Sequence, residues 1–494
     1  MRSPIPFAAL LVALTLLTAS LPAGPAPLAA AAQSGSDWVS LDTSGNPYAY
    51  ASGAFSYPPA ISSDGQSVAF ESLAPLGAGD HNGMDDVFVR DLSQGTTDLV
   101  SASPDGGAGN NRSYAPSMSS DGAFVAFASL ASDLTEGDGN NTADVFIRDR
   151  VNSTTTRVSS AGAGDADGSS FRPSISGDGN FVAFCSRAGN LVSDDTNGVA
   201  DAFLWERTSG VITRIAVPGA SPSASDGCLQ VAAGSDAGVV AFSAVTSGKA
   251  EVFVYDRASG TVTSLTEGAD GPSGTGGVSI SGDGSLIAFD SVADNLITGD
   301  SNRSRDVFIR DVKAGTTSRV SVRSDGSQLP GNSGTSGVSI SSDGHFVVFG
   351  STAQGVVAGD SNDSEDVFRR DLTAGLTTIA SVNTLDQSAN SSSYSPSVNS
   401  DGTVVAFTSL AANIVIGDGN RQPDVFVRET SFPDKAGDSD TPEDTGAPAE
   451  EETTSPVSQD GGGMSPIVLY GGIAAGVVLL LAAGSLLLGR RGRA

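Results

Sequence analysis

The sequence predicts an all-β chain: a seven-bladed β-propeller of four-stranded antiparallel blades, its ring closed by the N-terminal strand, followed by one C-terminal transmembrane helix. Three observations lead there. One stretch is written seven times, most clearly from Ser119 to Asp149 as SSDGAFVAFASLASDLTEGDGNNTADVFIRD, and self-similarity at a fixed period of this size marks a repeat architecture. Each copy holds an Asp-Gly turn between two short apolar runs, the strongest local hairpin signal, and 61 glycines with 6% aromatic residues fit many short strands joined by turns. The segment that opens the mature chain, Trp38 to Leu41, matches a strand that the seventh copy lacks.

The turn recurs at Asp64, Asp121, Asp178, Asp283, Asp343 and Asp401, with a degraded form at Asp236-Ala237-Gly238, so that successive copies are 57, 57, 58, 47, 60 and 58 residues apart. Strand a, such as SMS or SIS, precedes each turn and strand b, such as FVAF, follows it. Strand c is the second apolar run, beginning at Asp86, Asp144, Asp201, Glu251, Asp306, Asp366 and Asp424. Strand d comes after a Gly-Thr or Ser-Gly turn, as in TTRVSS from Thr155 and VTSLT from Val262. The near-continuous apolar character of b and c implies sheets covered on both faces, which stacking of neighbouring units provides. Four antiparallel strands, repeated, make a propeller or a solenoid. The ends decide between them: the seventh copy stops at Thr430 with no strand d, while WVSL followed by DTSGN matches LVSA followed by SPDGG from Leu99. Pairing the two closes a ring and removes exposed sheet edges.

The pattern Ser-x-Asp-Gly-x-x-Val-Ala-Phe followed by Asp-Val-Phe-Val-Arg-Asp resembles the WD-repeat-like propeller repeats of the TolB-like family, and the resemblance covers Trp38 to Thr430. It implies a propeller scaffold. Such scaffolds carry many unrelated activities, so the resemblance implies no reaction. The family's propellers are often six-bladed, and a count of seven departs from that.

Both ends read as targeting segments. Arg2, the apolar run from Phe7 to Leu17 and the small residues Ala30 and Ala32 form a secretory signal peptide over residues 1–32. The propeller occupies 33–432. Residues 433–464, rich in Asp, Glu, Thr, Pro and Gly, read as a disordered acidic stalk. A transmembrane helix is expected over 465–489, since the 22 residues from Ile467 to Leu488 carry no charge. Arg490, Arg491 and Arg493 make 490–494 a cytoplasmic basic tail, which places a single-pass protein in the cell membrane with its propeller extracellular. Gly472 and Gly476 form a GxxxG pair of the kind that dimerises helices, although small residues are frequent in such helices anyway.

A formal charge of −30 repels phosphate backbones and anionic lipid, so nucleic acid is excluded as a partner. It attracts cations. The two cysteines, Cys185 and Cys228, leave two readings open: one bridge between neighbouring repeats, or two separately buried thiols.

Six of the seven b–c loops share the pattern Asp-x-Asn-x-x-x-Asp. The residues are Asp80, Asn82 and Asp86; Asp138, Asn140 and Asp144; Asp195, Asn197 and Asp201; Asp300, Asn302 and Asp306; Asp360, Asn362 and Asp366; and Asp418, Asn420 and Asp424. Oxygen side chains at alternate loop positions can converge on a hard cation, so these are candidate Ca²⁺ ligands. The competing reading is that Asp and Asn bond their own backbone in Asx turns and the last Asp caps strand c. The fourth unit has lost the loop and carries Lys249, so it is expected to bind no metal.

The only histidines, His81 and His345, lie in different units and read as surface turn residues, and no GxSxG elbow appears. The recurrent Arg90-Asp91, Arg148-Asp149, Arg310-Asp311 and Arg370-Asp371 pairs read as a structural ladder in which arginine heads meet acids of adjoining strands, with an anion site as the alternative. In an antiparallel blade the b–c and d–a loops share one face. That loop-rich face is the expected binding face, for a protein or glycan partner, on a cell-surface binding or scaffold protein. The alternative is an extracellular polysaccharide hydrolase or lyase with Asp pairs near the central channel, and a third reading is a purely structural envelope component.

Overall fold

A computed structural model describes residues 35–47 and 57–430, apart from 163, 221–226, 361 and 421. The chain divides into two units, Met1–Asp434 and Lys435–Ala494. The expected leader, stalk, membrane helix and basic tail lie outside the described residues.

The described strands form seven four-stranded antiparallel sheets. In six of them a, b, c and d are consecutive in the chain; in the seventh, Ser393–Val398, Val404–Ser409 and Asp424–Glu429 are completed by Ser36–Trp38. Ring closure by the N-terminal strand is therefore observed, with Trp38 opposite Phe426. The strand begins two residues before Trp38, and Leu41 instead bridges Pro47 at the start of the following d–a loop. The correspondence with the first blade holds atom for atom. Val39 N donates to Val425 O at 2.8 Å as Val100 N does to Val87 O at 2.8 Å, and Ser40 Oγ meets Asp424 as Ser101 Oγ meets Asp86.

Strand c starts where expected in six blades. In blade 4 it starts at Lys249 rather than Glu251, because strand b (Val239–Thr246) and strand c (Lys249–Asp256) are joined by Ser247-Gly248 alone, both with positive φ. A two-residue connection of this kind extends the ladder on either side of it.

Each blade pairs a phenylalanine of strand b with one of strand c, such as Phe127 with Phe146 at 5.8 Å between ring centroids and Phe184 with Phe203 at 5.6 Å. Seven apolar clusters lie between successive blades, one per junction; Val145 and Ile147 of blade 2, for example, pack on Phe184 and Phe203 of blade 3. Strands b and c thus have partners on both faces, which is why they read as apolar runs without alternation. A girdle of backbone hydrogen bonds also runs from each a–b turn to the next. It passes from Ser63 to Ser120, Gly177, Ser235, Gly282, Ser342 and Ser400, and returns through Ser400 N to Ser63 O at 3.2 Å.

The Asp-Gly turn is locked by side chains. Ser119 Oγ donates to Asp121 Oδ1 at 2.6 Å and accepts from Phe124 N at 3.0 Å, while Gly122 takes the left-handed conformation with φ +68°. In the degraded copy Ala237 takes that position, with φ 49°. Replacing the buried Ser119 by Ala leaves the Phe124 amide without its acceptor, and chemical denaturation is expected to show a loss of about 1–2 kcal/mol.

The Arg-Asp pairs differ from expectation. Arg90, Arg148, Arg310 and Arg370 each donate to a threonine of strand d (Thr97, Thr155, Thr317 and Thr377) at 3.0 Å, rather than to acids of adjoining strands. The following aspartates instead accept backbone N–H groups of the c–d turn, as Asp149 does from Asn152 at 2.9 Å. The register of the c–d hairpin puts threonine beneath each arginine, and a neutral acceptor satisfies a half-buried guanidinium.

The cysteines are bonded. Cys185 in strand b of blade 3 (Phe181–Ser186) and Cys228 in strand a of blade 4 (Gly227–Ala233) form a disulfide with Cα atoms 5.7 Å apart, stapling two blades.

Candidate functional site

Two features lie toward the loop-rich face: the mouth of the axial channel and the b–c loops. Strands a line the channel. Where they begin there is a cavity of about 320 Å³ bordered by Tyr57, Ala115, Arg172, Gln230, Val278 and Pro396, among others. The strands are bulged there, with register shifts between Tyr114 and Ser117, Phe171 and Ser174, and Tyr394 and Ser397. Ala115, Arg172 and Ser395 have positive φ. A bulge leaves one residue unpaired and re-aims its side chain, here toward the axis.

The polar groups of this mouth form one connected set. Tyr57 stacks on Tyr114 with ring centroids 5.4 Å apart, and the Arg172 guanidinium lies 5.2 Å from the Tyr57 ring while donating to Gln230 Oε1 at 2.9 Å. Arg112 covers Tyr114 at 4.8 Å. Burial raises the Tyr114 pKa, so its phenol stays neutral. Among the described residues no carboxylate lines this cavity and none pairs with Arg172, so the loop aspartates are not brought together at the axis. These mouth residues escaped the sequence reading. Their signal was the proline in Tyr114-Ala-Pro-Ser, Phe171-Arg-Pro-Ser and Tyr394-Ser-Pro-Ser, since proline inside a strand marks an edge or a bulge.

In five of the six b–c loops the structure brings the Asn and its second Asp into a hydrogen-bonded knot. In blade 2, Thr142 N donates to Asn140 Oδ1 at 2.9 Å, Asn140 Nδ2 donates to Asp144 Oδ2 at 2.9 Å, and Ser159 Oγ donates to Asp144 Oδ1 at 2.6 Å. The knot recurs with Asn82, Asp86 and Ser101, with Asn302, Asp306 and Ser321, and with Asn420, Asp424 and Ser40. In blade 3, Asn197 bonds Asp201 without the serine; in blade 6, Asn362 reaches Ala389 O and Ser381 holds Asp366. The Asx-turn role of the asparagine is thus present in all six loops.

The first aspartates divide into two groups according to strand d. In blades 2, 3 and 5 the residue opposite the strand c phenylalanine is an arginine, which lies against both acids. Arg157 is 3.2 Å from Asp138, Arg214 is 2.6 Å from Asp201 and 3.6 Å from Asp195, and Arg319 is 3.1 Å from Asp300 and 3.3 Å from Asp306. In blades 1, 6 and 7 that position is Leu99, Ile379 and Trp38. There burial pushes the second aspartate up: Asp86 to about 7, Asp366 and Asp424 to about 6, each raised further by its loop partner Asp80, Asp360 or Asp418. In blade 4, Lys249 Nζ donates to Ala269 O at 2.7 Å, taking the place of the loop asparagine. Among the described residues no three acidic, imidazole or thiol groups converge, so any cation would rest on two carboxylates completed by carbonyls and water. His81 and His345 sit exposed in separate blades, His345 beside Asp343.

Fold and site together define a closed seven-bladed β-propeller with an aromatic and cationic axial mouth. No family model and no curated protein matches the chain. Among solved structures it is similar to oligogalacturonate lyase from Vibrio parahaemolyticus, at 14% identity over 76% of this chain and 89% of that one with a TM-score of 0.48. It is also similar to the β-propeller domain of the Trilobed protease from Pyrococcus furiosus, at 11% over 76% and 92% with a TM-score of 0.47, and to TolB from Acinetobacter baumannii, at 14% over 70% and 76% with a TM-score of 0.36. All three are propeller-bearing proteins, and at these identities and scores the likeness carries no activity to this chain.

Proposed function

We propose that this protein is a cell-surface binding propeller, exported by its leader, anchored by the helix at 465–489 and lifted from the membrane by the acidic stalk, whose axial mouth takes an anionic group of a protein or glycan ligand. The observation that carries the reading is Arg172, held between Tyr57 and Gln230 at the mouth and, among the described residues, in no salt bridge, in a chain whose net charge is −30. A lone guanidinium on an aromatic shelf binds a carboxylate through charge and a sugar or peptide face through stacking. The disulfide accords with an oxidising compartment outside the cytoplasm.

Acidic oligosaccharides and acidic peptides titrated calorimetrically against the full chain test this. Binding by one class is expected to weaken at least about tenfold in Arg172→Ala, as for loss of a charge-assisted bond, and to weaken in Tyr114→Ala. Unchanged affinity in both variants, with melting intact, would remove the axial site from consideration.

A further inference from the structure

We propose that two hard-cation sites, for Ca²⁺, lie in adjoining blades at Asp418/Asp424 and Asp80/Asp86, and that the arginines of blades 2, 3 and 5 are built-in substitutes for that ion. Five of the six loops bury both aspartate side chains, and a buried carboxylate pair needs a positive partner. Arg157, Arg214 and Arg319 supply it from strand d in three blades, and blade 4, which lacks the loop, carries Lys249 beside Glu251 at 3.7 Å. At Leu99 and Trp38 the chain offers no guanidinium, and among the described residues no arginine or lysine pairs with Asp80, Asp86, Asp418 or Asp424.

A second observation points to a ligand. Asp80 is 2% exposed and Asp418 is 8% exposed, and one oxygen of each, Asp80 Oδ2 and Asp418 Oδ1, accepts no hydrogen bond. The first aspartates of the three arginine-bearing blades have no such orphaned oxygen. The two repeat positions lie within reach of one cation, since in blade 2 the Arg157 guanidinium is 3.2 Å from Asp138 and 4.0 Å from Asp144. The donors are all hard oxygen, which suits Ca²⁺, and the loop carbonyls and water complete its coordination. Blade 6 is left out because its Asp360 is half-buried and turned to the Val356 amide at 3.3 Å. The blade 7 site touches the seam of the ring: Trp38 Nε1 and Ser40 Oγ of the closing strand donate to Asp424 Oδ1 at 3.1 and 2.7 Å.

The inference is independent of the axial reading, and its test uses a different titrant and different variants. The full chain, stripped with a chelator, is titrated with CaCl₂ by calorimetry and with Tb³⁺ by luminescence excited through tryptophan. Two calcium ions per chain are expected, with a dissociation constant of about 10⁻⁴ M, in the range of extracellular modules. Trp38 sensitises Tb³⁺ at the blade 7 site only. Asp418→Asn should therefore lose one ion and the luminescence, and Asp80→Asn should lose one ion and keep it. Leu99→Arg, which copies the arrangement of blade 2, should lose one ion while melting at least as high as the parent without calcium; this keeps the test open if an asparagine variant folds poorly. No calcium bound at 10 mM, as when a shared proton neutralises each pair, would overturn the proposal. So would six ions, or two ions still bound by Leu99→Arg.

Discussion

A chain that keeps residues 1–34 but lacks Gly35–Leu41 is expected to lose its closed ring and about 5 kcal/mol of stability. Val39 is fully buried between blades 7 and 1, and removing it forfeits about 1.5–3 kcal/mol. Trp38 packs on Phe426 with centroids 5.9 Å apart, an aromatic contact of about 0.5–1.5 kcal/mol beyond its area. Ser40 and Trp38 both donate to Oδ1 of the buried Asp424, and leaving that oxygen without these donors costs about 1–3 kcal/mol more. Strand c of blade 7 also becomes an open edge, a template for pairing with other chains. With an unfolding entropy of about 2.1 cal/mol/K per residue, 5 kcal/mol spread over a ring of this size lowers the melting midpoint by about 6 °C. Scanning calorimetry with light scattering checks both effects. A truncated chain that melts with the parent and scatters no more light would show that the seam adds nothing.

The second large effect is expected from Cys185→Ser with Cys228→Ser. The bridge spans 43 residues, and the chain-entropy relation for a loop of that length gives about 4 kcal/mol. It joins strand b of blade 3 to strand a of blade 4, beside an isolated parallel bridge from Ala200 to Gly227 and the buried pair Phe184 and Phe203. The blade 4 side is the irregular part of the repeat: its b–c loop is missing and its Asp-Gly turn is degraded to Asp236-Ala237-Gly238. Loss of the staple is therefore expected first at this junction. Denaturant unfolding of the double variant should shift by about 4 kcal/mol, and reduction of the parent protein should reproduce the shift. Equal midpoints with and without the bridge would mean that blade packing alone holds the junction.

The blade count, the strand order and the closing strand were legible because each is written locally. An Asp-Gly turn, an apolar run and an acidic loop recur within 31 residues, and the match of WVSL to LVSA needs no knowledge of what surrounds either. Strand starts failed only where an element was missing: without a b–c loop, Ser247-Gly248 lets blade 4 extend its ladder back to Lys249. The ladder arginines were misassigned for a different reason. Whether Arg90 meets Asp98 or Thr97 depends on one residue of hairpin register, which apolar patterning does not resolve.

What this chain's sequence determined by itself is the architecture, because turns and two-sided apolar strands are short-range instructions repeated until they close. Only the tertiary structure decided where charge is satisfied. Arg157 and Leu99 occupy the same repeat position, yet what the difference means rests on the aspartates each of them faces across a hairpin. The axial mouth lies further still from any local signal. Tyr57, Tyr114, Arg172 and Gln230 belong to four successive blades, and they meet because bulged strands a turn inward around one axis. Proximity across a closed ring is a property of the whole circle of packed blades, and no stretch of sequence contains it.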